Sequence, residues 1–251
     1  YEVHGGTQAL RTRLAEIRDE VGEAIEQGAK VIVLSDRHAN AELAPIPSLL
    51  LTSTVHQHLV QLRERTRIGL IVESGDVREV HHAALLFAYG AAAINPYLLF
   101  ESAEDMARNE LYVDVSPEQA IANVSAALGR GVLTVMSKMG VSTLGSYRGA
   151  QIFEAGGLDH EFVDEFFTGP SSRLEGIGLE QIAQEIAVHH ERAYPQNGIE
   201  LPHRTLEVGG DLQWRREGED HLFDPDAIFR LQQSTIRGDY QQFKKYTSHI
   251  N

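Results

Sequence analysis

The sequence predicts an α/β protein built of parallel βα units, and three observations carry that reading. Short apolar runs stand at Val31-Ile32-Val33-Leu34, at Ile68-Gly69-Leu70-Ile71-Val72 and at Ala91 to Ile94. Each run ends in polar residues: Ser35-Asp36-Arg37-His38 after the first, Glu73 to Asp76 after the second, Asn95-Pro96 after the third. Helical patterns lie between the runs, and this alternation argues for a parallel sheet with polar groups gathered at the carboxyl ends of its strands. A (β/α) barrel, or a partial, rudimentary one resembling a TIM barrel, is the natural form.

The elements follow in order. From Thr7 to Gln27 the residues Leu10, Leu14, Ile17, Val21 and Ile25 recur at helical spacing, and Gly28 supplies a C-cap. The run from Val31 to Leu34 is too brief for a helix and β-branched enough for a buried parallel strand. Pro45 and Pro47 punctuate the chain, and Ser48 caps a helix through Leu51, Val55 and Leu59 to about Arg65. The second strand and its polar exit lead into a third helix from Val80 to Tyr89. Beyond the third strand the rhythm loosens. Helical patterns run from Pro117 to Gly129 and from Leu179 to Tyr194, with glycine-rich stretches between them and a strand expected only around Thr143-Leu144. A domain boundary is expected between Gly149 and Gly156, and Pro195-Gln196-Asn197-Gly198 reads as a linker.

Composition narrows the function classes. A chain of 251 residues can bury one large α/β domain or one and a half smaller ones. Its net charge of −14 and its lack of any basic stripe argue against nucleic acid. Cysteine is absent, so this chain offers no thiolate nucleophile, no zinc-thiolate site and no iron–sulfur ligand. No uninterrupted apolar run reaches the roughly 18 residues that span a bilayer, and the start is not a signal peptide. The chain is therefore read as cytoplasmic, without a membrane partner. It lacks an initiator Met, and both ends read as cut from something longer.

Particular stretches are similar to the large subunit of bacterial glutamate synthase. They are Val33-Leu34-Ser35-Asp36-Arg37, Ala44-Pro45-Ile46-Pro47-Ser48-Leu49-Leu50, Glu79-Val80-His81-His82, Tyr89-Gly90-Ala91 and Ile94-Asn95-Pro96-Tyr97. Further on come Val135 to Thr143, Ser146-Tyr147-Arg148-Gly149-Ala150-Gln151-Ile152-Phe153-Glu154, Phe167-Thr168-Gly169 and Gly209 to Arg216. They stand in the family's order and span nearly the whole chain. The resemblance implies a machine of four parts: an N-terminal glutaminase, a central α/β domain, a barrel with flavin mononucleotide and an iron–sulfur cluster, and a β-helix. Ammonia from glutamine passes along a tunnel, condenses with 2-oxoglutarate, and the flavin reduces the product to glutamate. Residues 1–150 resemble the C-terminal part of the central domain, and 151–251 the connection into the FMN-binding synthase barrel. The resemblance places the flavin motif beyond Asn251 and implies the other domains, and a small reductase subunit, as partners. It implies no catalytic residue, cofactor or metal in this chain. The alternative is a freestanding, non-catalytic scaffold subunit that assembles with a separate flavin-barrel polypeptide.

Several polar groups stand out as structural or junction candidates. Asp36 and Arg37 follow the first strand, where barrel ligands sit, and read as a vestigial site or as an ion pair bracing the loop. Glu79, His81 and His82 crowd the next helix with Glu73, Asp76 and Arg78. Adjacent histidines on a helix diverge by about 100°, so packing is favoured over a shared metal. Lys138, between Ser137 and Met139, is set among glycines where an anion could approach, as is Gly176-Ile177-Gly178 before a helix. Arg148, Gln151 and Glu154 read as braces of a domain junction, and Trp214, Tyr240, Phe243 and Tyr246 as anchors of a tail.

Overall fold

In a computed structural model the chain is described at residues 1–109, 114–195 and 208–251. It divides into two compact units, Tyr1–Gln196 and Asn197–Asn251. The first unit opens with helix α1 (Gly6–Glu26), strand β1 (Val31–Ser35), helix α2 (Ser48–Gln61), strand β2 (Gly69–Glu73), helix α3 (Val80–Ala88) and strand β3 (Ala93–Asn95). The three strands are parallel in the order β1-β2-β3, with Val33 opposite Ile71 and Ile71 opposite Ala93. This is the alternation the apolar runs predicted, and the chain is α/β. Helix α4 (Tyr97–Arg108) follows at once, a segment that sequence periodicity alone left unassigned.

Alternation along each strand decides which side is covered. Leu34 and Leu70 are 7% and 0% exposed, and with Val21, Ile25, Val55 and Leu59 they form a core under α1 and α2, while Val72, 1% exposed, joins a neighbouring core. Each such side chain contributes roughly 1.5–3 kcal/mol of transfer free energy. Val31 and Val33 point the other way and are 53% and 55% exposed. Parallel sheets normally bury both faces; among the described residues this one buries a single face.

Helix α5 (Pro117–Lys138) starts at the Ser116 cap, whose hydroxyl accepts from the Gln119 N–H, with Pro117 at the first helical position. It runs nine residues past the predicted end at Gly129 (138 − 129). Gly131 is there for packing: a β-carbon on it would lie 2.3 Å from Val80 Cγ2 of α3. By length and composition α5 could cross a membrane, although Asn123, Ser125, Arg130 and Thr134 interrupt its apolar residues. Val132 and Met136 instead join the core with Val72, Leu86 and Tyr147.

No strand forms at Thr143-Leu144. Thr143 caps the short helix α6 (Leu144–Tyr147), because its hydroxyl accepts from the Ser146 N–H. The strands lie instead at β4 (Ala155–Leu158) and β5 (Ser172–Ile177), a parallel pair joined by α7 (His160–Phe166). Helix α8 (Leu179–Ala193) then packs on α1 around Leu10, Leu14, Phe162, Phe166 and Ala183. Of the expected linker, Gln196 to Gly198 lie outside the described residues. The second unit holds α9 (Pro225–Arg237) and α10 (Tyr240–Ile250), packed on each other and capped by Asp224 and Asp239.

Candidate functional site

The carboxyl ends of the three strands bring Ser35, Glu73 and Asn95 into one row, because these residues are register partners. Glu73 is the hub. Its carboxylate accepts from Ser35 Oγ at 2.6 Å, from Arg37 Nε at 3.0 Å and from Asn95 Nδ2 at 3.0 Å. The Ser35 hydrogen bond, with help from Arg37, holds Glu73 below its ordinary value, so it is ionised and a poor base. Arg37 also reaches Glu101 at 3.2 Å, and its guanidinium lies 4.1 Å from the Tyr97 ring centroid.

Asp36 and Arg37 do not form the ion pair expected of them. Asp36 turns the opposite way, accepting from Ser74 Oγ at 3.2 Å and from the Gly75 N–H at 2.9 Å. Successive residues after a strand diverge, so each clamps a different neighbour. Burial first, and hydrogen bonding to Asp36 second, push the Tyr97 hydroxyl up to about 12. The cluster thus has an ionised carboxylate with its donors in place and a phenol that keeps its proton.

A groove of about 870 Å³ runs from this cluster to α8, lined by Asp36, Arg37, Arg78, Tyr97, Glu185 and His189 among others. Its lining sets Asp36, Asp76 and Glu185 against Arg37 and Arg78, and Arg37 is already held by Glu73 and Glu101. With no cysteine the chain supplies no thiolate to an iron–sulfur cluster.

The other predicted residues are dispersed. His82 Nδ1 accepts from the Arg78 N–H and its Nε2 lies 3.4 Å from Glu79, whereas His81 meets the Phe153 ring edge-on at 6.0 Å. Among the described residues no group of three or more His, Cys, Asp and Glu side chains could hold a metal. Lys138 closes α5, where it complements the negative end of the helix dipole. The negative end of a helix is a poor seat for an anion. Gln151 donates to the Thr168 carbonyl at 3.1 Å, and Glu154 pairs with Arg173 at 2.8 Å on the surface. Tyr97 and Glu101 are the residues that sequence reasoning missed. Their signal was the i, i+4 spacing directly after Asn95-Pro96.

Fold and cluster together define an α/β module whose strand ends are braced by hydrogen bonds and ion pairs. Residues 1–159 match the family model described as the glutamate synthase central domain, and the chain belongs to that family. It is 44% identical over 241 residues to the glutamate synthase [NADPH] large chain of Bacillus subtilis, covering 96% of this chain and 16% of that protein. It is 43% identical over 230 residues to the glutamate synthase [NADH] of Schizosaccharomyces pombe, covering 90% and 11%. To the large chain of Azospirillum brasilense it is 36% identical over 251 residues, covering 100% and 16%. The chain thus spans a small fraction of the length of these relatives.

Proposed function

We propose that this chain acts within a glutamate synthase large subunit as the architectural joint between a glutaminase domain and a flavin domain, helping to wall the ammonia tunnel. The carrying observation is family membership over residues 1–159, joined to a strand-end cluster whose charged groups are already engaged. Residues 1–150 serve as the C-terminal part of the central domain, and 151–251 connect to the FMN-binding synthase barrel. The whole enzyme converts glutamine, 2-oxoglutarate and reductant into two glutamates in the cytoplasm. Its FMN and iron–sulfur cluster sit outside this chain, and a small reductase subunit is a further partner. The exposed Val31 and Val33 support a finer reading of the fold, in which β1–β3 belong to a partial (β/α) barrel whose remaining strands come from flanking polypeptide.

Two measurements test this. The purified chain, mixed with FMN and desalted, is expected to show no flavin absorption; a stoichiometric yellow complex would overturn the reading. In the whole large subunit, Gly131→Leu forces α5 off α3. The expected result is that glutamine hydrolysis and ammonia-driven glutamate formation both persist while more glutamine is consumed per glutamate made. An unchanged ratio, with both half-reactions falling together, counts against a joint.

A further inference from the structure

The two helices of the second unit leave most of their apolar side chains in water. Helix α9 buries only Ala227 and Ser234, and α10 buries no residue. Ile228, Phe229, Ile236, Tyr240 and Phe243 are exposed, Ile236 at 77% and Tyr240 at 64%. Along α10 the rings of Tyr240, Phe243 and Tyr246 follow one another with centroids 6.4 and 6.0 Å apart. A helix pair with so little core of its own presents a surface to be covered.

The same pair reverses the charge of the chain. Acidic side chains outnumber basic ones 36 to 22 overall, yet within α9 and α10 Arg230, Arg237, Lys244 and Lys245 stand against Asp226 alone. Gln241, Lys244, Lys245, Ser248 and His249 recur at i, i+3, i+4, i+7 and i+8 and so share one face of α10. With Arg230 of α9 they line a cleft of about 360 Å³, whose walls are polar throughout. Little in the cleft offsets its cations. Asp226 lies 3.8 Å from Arg230 Nη2 and its side chain is 70% exposed, so that pair is weak. Arg230 Nε is buried and finds no hydrogen-bond acceptor among the described residues. The Lys244 ammonium lies over the Tyr240 ring, 5.4 Å from its centroid, and Lys245 has no acidic partner among the described residues. His249 is turned to Asp224, 3.0 Å from both carboxylate oxygens, and is already engaged there.

We propose that the α9–α10 hairpin docks on another domain of the same large subunit, with acidic side chains of that domain seated in the cleft of Arg230, Lys244 and Lys245. Charge complementarity selects the acidic groups, since donors that lack a local carboxylate are matched by one from outside. The apolar neighbours select a protein surface: a small polyanion would fill the cleft and leave Phe229, Ile236 and Tyr240 wet. The chain covers 16% of the Bacillus subtilis large chain, which leaves more than four-fifths of such a subunit to supply that surface. The proposal rests on the reading that the chain works inside a larger subunit.

The native amines make the contact measurable. In the whole large subunit a water-soluble carbodiimide joins the Lys244 or Lys245 amine to a touching carboxylate, the reagent taking up the lost water and leaving as its urea. The expected product is an isopeptide bond from one of these lysines to an Asp or Glu outside residues 1–251. No coupling at either lysine, or coupling confined to carboxylates within residues 1–251 or on a second copy of the subunit, would overturn the proposal. A second measurement is independent of that chemistry. Lys244→Glu combined with Lys245→Glu is expected to lower the unfolding midpoint of the whole subunit and to leave that of the isolated chain unchanged. Equal shifts in both would mean the lysines serve only their own hairpin, against the proposal. A midpoint of the isolated chain that rises with inorganic phosphate at constant ionic strength, and no longer does so in the double variant, would assign the cleft to a small anion and overturn the docking as well. Neither readout uses the glutamine-to-glutamate ratio, so failure here is distinguishable from failure of the joint.

Discussion

At the ends of β1 and β2, Arg37 meets Glu73 and Glu101; around His56, Arg65 meets two carbonyls and an imidazole. Both places gather polar groups by the same means, loops that leave a strand or helix and fold back over the next element. They differ in whether opposite charge is supplied locally. The first set is complete and stabilises its own loops. In the second, Arg65 satisfies its hydrogen bonds on neutral groups, with no ion pair to it among the described residues.

That contrast can be broken most forcefully from below. Tyr147 is fully buried beneath the second set, with its hydroxyl donating to the Ala84 carbonyl at 3.1 Å and its ring edge-on to Phe153 at 6.3 Å. Tyr147→Ala should cost about 3–5 kcal/mol in chemical denaturation. A loss under about 1 kcal/mol would show that the segment around Arg148 is not anchored as described.

The next effect is a pH dependence led by His56, with His58 on the same helix also held low by burial. Between the ordinary histidine value of 6.5 and about 4 the unfolded chain takes up a proton on His56 that the folded chain refuses. Stability is therefore complete above 6.5 and declines as the pH falls toward 4, by up to about 2–3 kcal/mol after allowing for solvent screening. Glu73, held low, weakens the fold as the pH falls from the ordinary carboxylate range toward its own lower value. His56→Gln keeps an acceptor for Arg65 and should flatten the slope between 6.5 and 4; a slope that survives the substitution assigns it to other groups.

At the first set, Asp36→Ala should cost roughly 1–3 kcal/mol, because it strands the Gly75 N–H and the Ser74 hydroxyl. Combined with Arg37→Met, the two losses should add, since the side chains serve different partners; strong coupling in a double-mutant cycle would restore the ion pair that the geometry denies. The smallest effect belongs to Arg148→Ala in the isolated chain, within about 0.5 kcal/mol of the parent. A loss of 2 kcal/mol or more in the same assay, about four times that bound, would mean that Arg148 braces its own chain.

The α/β class and three strands could be read from the sequence because apolar runs with polar exits are a local signal. The predicted placing of Asp36 and Arg37 at a strand end also holds, since it requires only the strand. Their partners were hidden, because Glu73 and Glu101 lie 36 and 64 positions from Arg37 and no spacing rule links them. Gly129 and Gly131 misdirected the end of α5: glycine between helical residues signals a stop, unless another helix needs its missing β-carbon. The helices of the second unit carried readable marks, Asp224-Pro225 at one start and Gly238-Asp239 at the turn, which aromatic content obscured. His56 carries no local mark of its partner, because no spacing rule ties it to an arginine nine residues away.

The wet valines of β1 have a practical consequence. Val31 and Val33 stand on a terminal strand of the β1-β2-β3 ladder, with an uncovered face and an outward row of peptide groups. A strand in that condition recruits whatever strand comes near, so concentrated solutions of the excised chain should drift toward dimers and precipitate through that seam. A lysine at position 33, Val33→Lys, would be the simplest way to keep it monodisperse.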